Sequence, residues 1–161
     1  RMLLEHGADP NIGGGTLKYP ITAATRIAEP AILDLLLEND RTDVNVRGGS
    51  DNATPLINAA AHMSSVSVQK LLEKGAHVNA QTSEGDTALT MAAWKGERSC
   101  VELLCVYGAN VTHRSPKRGL AIQVAAERGH PLCAEVLAQN MGRVIDVLRH
   151  EGEWLHVGMI Y

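Results

Sequence analysis

Phenylalanine is absent from this 161-residue chain, and aromatic side chains of all kinds make up only 3% of it. The apolar interior therefore has to be built from Leu, Ile, Val and Ala, small side chains that suit closely stacked helices. Cysteine is scarce and odd in number: Cys100, Cys105 and Cys133 form no Cys-x-x-Cys pair, which argues against a disulfide framework. Each falls among apolar helical positions and reads as a small core residue. Charge excess is also missing, since a formal net charge of -3 with 20% charged residues gives no general demand for nucleic acid or an anionic membrane. No run approaches the roughly 18 apolar residues of a membrane span. The opening residues Arg1-Met2-Leu3-Leu4-Glu5-His6-Gly7 lack the order of a signal peptide, so a cytoplasmic or nuclear location without membrane insertion is expected.

What the chain does have is recurrence. Thr54-Pro55-Leu56-Ile57-Asn58-Ala59-Ala60 is followed 21 residues after Thr54 by Gly75-Ala76-His77-Val78-Asn79-Ala80, and both phrases return 33 residues later as Thr87-Ala88-Leu89-Thr90-Met91-Ala92-Ala93 and Gly108-Ala109-Asn110-Val111. A fixed period of this size marks supersecondary units that cannot bury their own apolar faces and stack into a continuous core. Helix starts at Pro20, Pro55, Ala88 and Ala121 define four units, each continued by an apolar stretch such as Val68-Gln69-Lys70-Leu71-Leu72 or Cys100-Val101-Glu102-Leu103-Leu104.

The turn residues agree with a helix–turn–helix–loop unit. Pro30 and Pro131 stand where a second helix should begin, and Gly75 and Gly108 stand just past its end, where a left-handed residue closes a helix. In the first complete unit Asn39-Asp40 replaces that glycine and is expected to take the positive φ instead.

These residues resemble the ankyrin repeat, with its Thr-Pro-Leu-His-x-Ala signature and its Gly-Ala-Asp-Val-Asn-like ending. The resemblance implies an all-α ankyrin-repeat solenoid of stacked helix–turn–helix units with finger loops, and a role in binding proteins. The expected organisation is one domain over 1–161: the end of a truncated repeat at 1–15, repeats at 16–49, 50–82, 83–115 and 116–140, and a cap or partial repeat at 141–161. Leu3-Leu4-Glu5-His6-Gly7-Ala8-Asp9-Pro10-Asn11 reads as the end of a unit whose beginning is missing, so a piece of a longer protein is expected. The chain departs from the signature where its His is replaced by Thr22, Ile57, Thr90 and Gln123, and where Tyr19 and Leu120 stand at the cap position. A lost cap costs about 0.5–2 kcal/mol, so the outer units should be less stable than the central two.

Past Asn140 the pattern weakens. Val144, Ile145, Val147 and Leu148 allow one apolar stripe, read either as a closing helix or as the start of an incomplete fifth unit. The apolar tail Trp154 to Tyr161 is expected to fold back on the last repeat or to belong to a following segment.

Chemistry-bearing motifs are thin. Gly13-Gly14-Gly15 lacks the Walker spacing and its Lys-Ser/Thr ending, and reads as a finger loop. His150 and His156 miss the spacing that puts two metal ligands on one helix face, because Trp154 holds that place. His6, His62, His77, His113 and His130 are scattered over different units and pair with no nucleophile by sequence. His130, after Gly129, reads as a stabiliser of the turn between helices. No enzyme activity, cofactor, metal or small-molecule substrate is expected.

The informative position is Trp94. Its counterparts in the other units are Arg26, Ala61 and Glu127, polar or small residues, so the column should face the concave groove. Exposing a Trp there is costly, and Trp is enriched at binding hot spots. The same helix faces offer Ile27, Asn58, His62, Met91, Lys95 and Arg128; the finger loops add Arg47, Asp51 and Asn52, then Glu84 and Asp86, then Arg114, Lys117 and Arg118. The middle fingers thus read as acidic and the last as basic. The expected function is binding of a partner protein or peptide through groove and fingers, with Trp94 as anchor. Two rivals remain, an accessory segment of a larger enzyme or channel, and a nucleic-acid surface at Arg114, Lys117 and Arg118, for which three cations without an aromatic platform give thin support.

Overall fold

The computed structural model describes the backbone of residues 8–14, 19–26 and 30–157, with side chains up to residue 145. Its helices come in pairs: α1 (Pro20–Arg26) with α2 (Pro30–Leu37), α3 (Pro55–Ala61) with α4 (Ser65–Glu73), α5 (Ala88–Lys95) with α6 (Arg98–Val106), and α7 (Ala121–Glu127) with α8 (Pro131–Val157). The first members pack side by side as an inner row, α1 on α3 on α5 on α7, and the second members form an outer row from α2 to α8. A two-residue antiparallel ladder, β1 (Arg114–Ser115) with β2 (Gly119–Leu120), stiffens the last finger. This is the all-α ankyrin solenoid that the sequence resembles, and among the described residues no helix is long and apolar enough to cross a membrane.

The core runs the length of the stack through Ile21, Leu33, Leu56, Leu71, Leu89, Leu104 and Leu137, each essentially buried. Ala24, Ala59, Ala60, Ala92, Ala93 and Ala125 are equally buried and allow the inner helices to approach closely. Cys100 and Cys133 take the same kind of place, and burial pushes the thiol of Cys100 up to about 12 and that of Cys105 up to about 11. Such thiols are not nucleophiles near neutral pH.

Local chemistry explains where the helices start. Thr54 Oγ1 accepts the amide of Ile57 at 3.4 Å ahead of Pro55. In the next unit Thr87 and Thr90 cap each other reciprocally: the Thr90 amide reaches Thr87 Oγ1 at 3.2 Å, and the Thr87 amide reaches Thr90 Oγ1 at 2.8 Å. The residue that replaces the signature His at position 90 thus becomes half of a capping box. Leu120 makes no side-chain cap bond, although Gln123 Oε1 accepts its amide at 3.3 Å. Thr22 is buried, and its hydroxyl has no partner among the described residues. The last unit therefore begins less well capped than the central ones.

One expectation needs correction. Neither Asn39 nor Asp40 has positive φ. Asn39 instead closes the helix end by accepting the Arg41 amide on Oδ1 at 3.0 Å, while the Thr42 hydroxyl donates to the Leu36 carbonyl, so the orphaned groups are satisfied without a left-handed residue. At the other end α8 runs for 27 residues, so the stretch from residue 141, expected as a cap or partial repeat, starts within the same helix as the second member of the last pair. Residues 158–161, and with them the end of the tail expected to fold back, lie outside the described residues.

The recurring Asn of the closing phrase has a role that its sequence pattern alone did not reveal. Asn45 Oδ1 accepts the His77 amide and Asn79 Oδ1 accepts the Asn110 amide, both at 2.8 Å, and Asn11 does the same for Asp43 at 2.8 Å. Each Asn pins one loop to the next unit, which fixes the spacing of the fingers that frame the groove.

Candidate functional site

Between the inner helices and the two middle fingers lies a groove of about 830 Å³, lined by Arg26, Asn58, His62, Asp51 and Glu84 together with Thr22 and the glycine turn Gly48-Gly49. Five residues expected to form the binding surface thus meet in one place. Asn58 is fixed by donating from Nδ2 to the Thr54 carbonyl at 3.2 Å. His62 follows the last turn of α3, and partial burial, reinforced by the charges of Arg26 and then Lys95, holds its imidazole below the ordinary value of 6.5. The groove thus has the Arg26 cation on its helical floor and the carboxylates of Asp51 and Glu84 on its finger side.

Trp94 lies further along the floor, at the end of α5. It is half-buried rather than open, because three cations crowd its ring: Arg118 with Cζ 4.5 Å from the centroid, Arg128 with Cζ at 4.7 Å and Lys95 with Nζ at 4.9 Å. The expectation of a bare apolar anchor is corrected in this respect. The negative faces of the indole attract the cations.

The fingers are also changed by folding. Asp86 is not a surface residue: it is 2% exposed, its Oδ1 accepts the Ser115 hydroxyl at 2.6 Å, and its Oδ2 accepts Arg118 Nε at 2.8 Å. A carboxylate removed from water needs such partners, and here they come from the neighbouring unit. Glu84 pairs with Lys117 at 2.6 Å, both half-exposed. The acidic middle finger and the basic last finger therefore neutralise each other along the stack, and the cation trio suggested for nucleic acid is reduced to Arg114, which stands exposed on β1.

Of the remaining expected residues, Met91 is half-buried against the core, and Glu127 stands exposed beside Arg128. Arg47 donates from Nη1 to the Gln81 carbonyl at 2.8 Å, so it ties two fingers together. Asn52 has a left-handed φ of 58° at the tip of the turn. Ile27 lies outside the described residues. No group of three or more His, Cys, Asp or Glu stands placed to hold a metal among the described residues. His130 faces Gly96 of the preceding unit, so it packs between units as well as beside its own turn.

Sequence comparison agrees with this architecture. The model of ankyrin repeats, three copies, matches residues 21–115, which take in the first three helix pairs. The transient receptor potential cation channel subfamily A member 1 of Homo sapiens is 31% identical over 104 residues, covering 65% of this chain and 9% of that protein. Neurogenic locus notch homolog protein 1 is 34% identical over 93 residues in Xenopus tropicalis and 36% identical over 93 residues in Mus musculus, covering 58% of this chain and 4% of those proteins. The chain thus spans less than a tenth of the length of each of these relatives. Ankyrin repeats are protein-interaction modules, and with a match over more than half its residues, in step with the helix pairs, this chain belongs to the ankyrin repeat family.

Proposed function

We propose that this protein binds a partner protein or peptide along its concave face, from the groove at Arg26, Asn58 and His62 to the cation-covered Trp94. The observation that carries the reading is convergence: side chains from α1, α3 and two successive fingers line one groove of about 830 Å³. No side chain of that lining belongs to the outer row of helices. A groove with polar walls fits a segment of polypeptide, whose backbone groups can bond to Asn58 and the finger carbonyls. The second reading, a module within a larger channel, has as support the cation channel among the relatives, of which the chain covers 9%.

Site-specific photo-crosslinking tests the groove. A photoreactive residue placed at Asn58 or His62 should capture partner protein from cell extract, and the same residue at Val66 on the outer row should not. Capture from Val66 alone would move the interface to the convex side.

A further inference from the structure

Three positive charges surround one indole. Because the charged centres of Lys95, Arg118 and Arg128 all lie within 5 Å of the Trp94 centroid, no two of them are farther apart than about 10 Å, one Debye length at 0.1 M salt. Among the described residues only Arg118 has an acidic partner, Asp86; Lys95 and Arg128 make no salt bridge. The indole faces compensate part of this repulsion, but a ring quadrupole is a weaker counter-charge than a carboxylate.

We propose that the Trp94 cluster is the docking point for the carboxylates of an acidic, extended peptide segment of the partner, an inference that rests on the concave-face reading given above. A guanidinium that lies against an aromatic ring has its face occupied, while its edge still points N–H donors outward. Arg118 gives only its Nε to Asp86, so its two terminal nitrogens remain as a fork for a carboxylate, and Arg128 and Lys95 supply further donors beside it. Asp86 acts here as a positioning residue: buried and bonded to Ser115, it fixes the guanidinium that the ligand meets. Incoming carboxylates supply the counter-charge that Lys95 and Arg128 lack among the described residues, and so relieve their mutual repulsion.

The chemistry favours a peptide over a nucleic acid. Both uses of an aromatic platform compete for the same ring, and here three cations already crowd Trp94, so a stacking base has to displace cation–ring contacts. The finger side of the groove carries Asp51 and Glu84, and the whole chain has a net charge of -3, which opposes a long uniform polyanion. A peptide with discrete carboxylates can place them at Trp94 and turn neutral or basic residues toward Asp51 and Glu84.

The test uses a peptide of repeated Glu-Gly-Ser, its Gln-Gly-Ser counterpart and an oligothymidylate of matching charge, each titrated into the protein while the indole N–H signal of Trp94 and the backbone amides are followed by NMR. The Glu peptide is expected to shift the Trp94 signal and to bind more than tenfold tighter than the Gln peptide, with affinity falling as salt rises. The double variant Lys95→Gln with Arg128→Gln, which leaves the Asp86–Arg118 pair in place, should lose that difference, and Lys95→Arg should keep it. Equal binding of Glu and Gln peptides, absence of binding by the Glu peptide, or tighter binding of the oligothymidylate would overturn the proposal. Failure of the concave-face reading looks different: the Glu peptide would still bind at Trp94, while photo-crosslinks to the natural partner came only from the outer helices.

Discussion

Asp86 and Arg118 lie 32 residues apart in the chain and meet at 2.8 Å, one carboxylate oxygen to Nε, with the Arg118 guanidinium carbon 4.5 Å from the centre of the Trp94 ring. A buried acid in one unit thereby sets the position of a cation from the next unit over an aromatic ring on the inner helices. The stack between units and the surface offered to a partner are held by the same bond.

Removal of that acid should be felt in both. Asp86→Ala strips Arg118 and Ser115 of their acceptor. Breaking a fully buried pair costs about 3–5 kcal/mol, and because Arg118 keeps 21% of its side-chain exposure the expected loss is nearer 2 kcal/mol. Urea denaturation should show the lower midpoint, and the Trp94 indole signal should move toward that of an uncovered ring. An unchanged midpoint would mean that the pair carries no net stability.

Trp94→Ala is expected to act on binding first and on folding second. Truncation of a hot-spot Trp costs about 2–4 kcal/mol of affinity, which weakens partner binding by well over tenfold. Loss of three half-exposed cation–ring contacts should lower stability by about 1–2 kcal/mol, so a moderate drop in Tm accompanies the binding defect. Normal binding with a lowered Tm would make Trp94 a packing residue alone.

Gly96 ends α5 with a left-handed φ of 76°, and a Cβ added there would collide with the imidazole ring of His130. Gly96→Ala therefore combines backbone strain with a collision between units, for a loss of about 2–3 kcal/mol. The double variant with His130→Ala removes the collision and leaves the strain, so thermal melts should show partial recovery. Additive losses in the double variant would exclude the collision as a cause.

His62 is held below 6.5 by burial and by Arg26 and Lys95, with Asp51 and Glu84 across the groove. The folded protein binds this proton more weakly than the unfolded chain does, so the stability associated with neutral His62 is present above about pH 6.5 and declines as the pH falls below that value. His62→Gln should flatten this part of the stability curve. Carboxylates docked at the Trp94 cluster offset the Lys95 charge that disfavours the imidazolium, so binding of an acidic peptide should tighten between pH 7.5 and pH 6, and should do so less in His62→Gln. Titration calorimetry in buffers of different ionisation enthalpy would detect the proton uptake.

Hydrogen exchange should rank the units. The amides of α3, α4, α5 and α6 should exchange most slowly, because Thr54 and the Thr87–Thr90 box cap the central units, whereas Leu120 has no side-chain cap and Thr22 carries a buried hydroxyl without a described partner. Slowest exchange in α1 and α2 would contradict this ranking.

The order of units, the helix starts at Pro20, Pro55, Ala88 and Ala121, and the glycine caps at Gly75 and Gly108 were all legible in the sequence, because they depend on the period and on residues whose backbone preferences act locally. The grouping of Arg26, Asn58 and His62 on one face was legible for the same reason, since a repeat places equivalent positions in one column. What the linear pattern could not show is which charges would find each other between units. Glu84 and Asp86 read as an acidic finger and Lys117 and Arg118 as a basic one, yet stacking brings the second pair onto the first and buries Asp86. Trp94 likewise reads as an exposed ring until Arg118 from the last finger and Arg128, just past the end of α7, come against it. A repeat sequence determines the unit and its stacking because those follow from local propensity and burial at fixed spacing; the surface charge belongs to neighbouring units together, and only the packed solenoid decides which charges cancel and which remain for a partner.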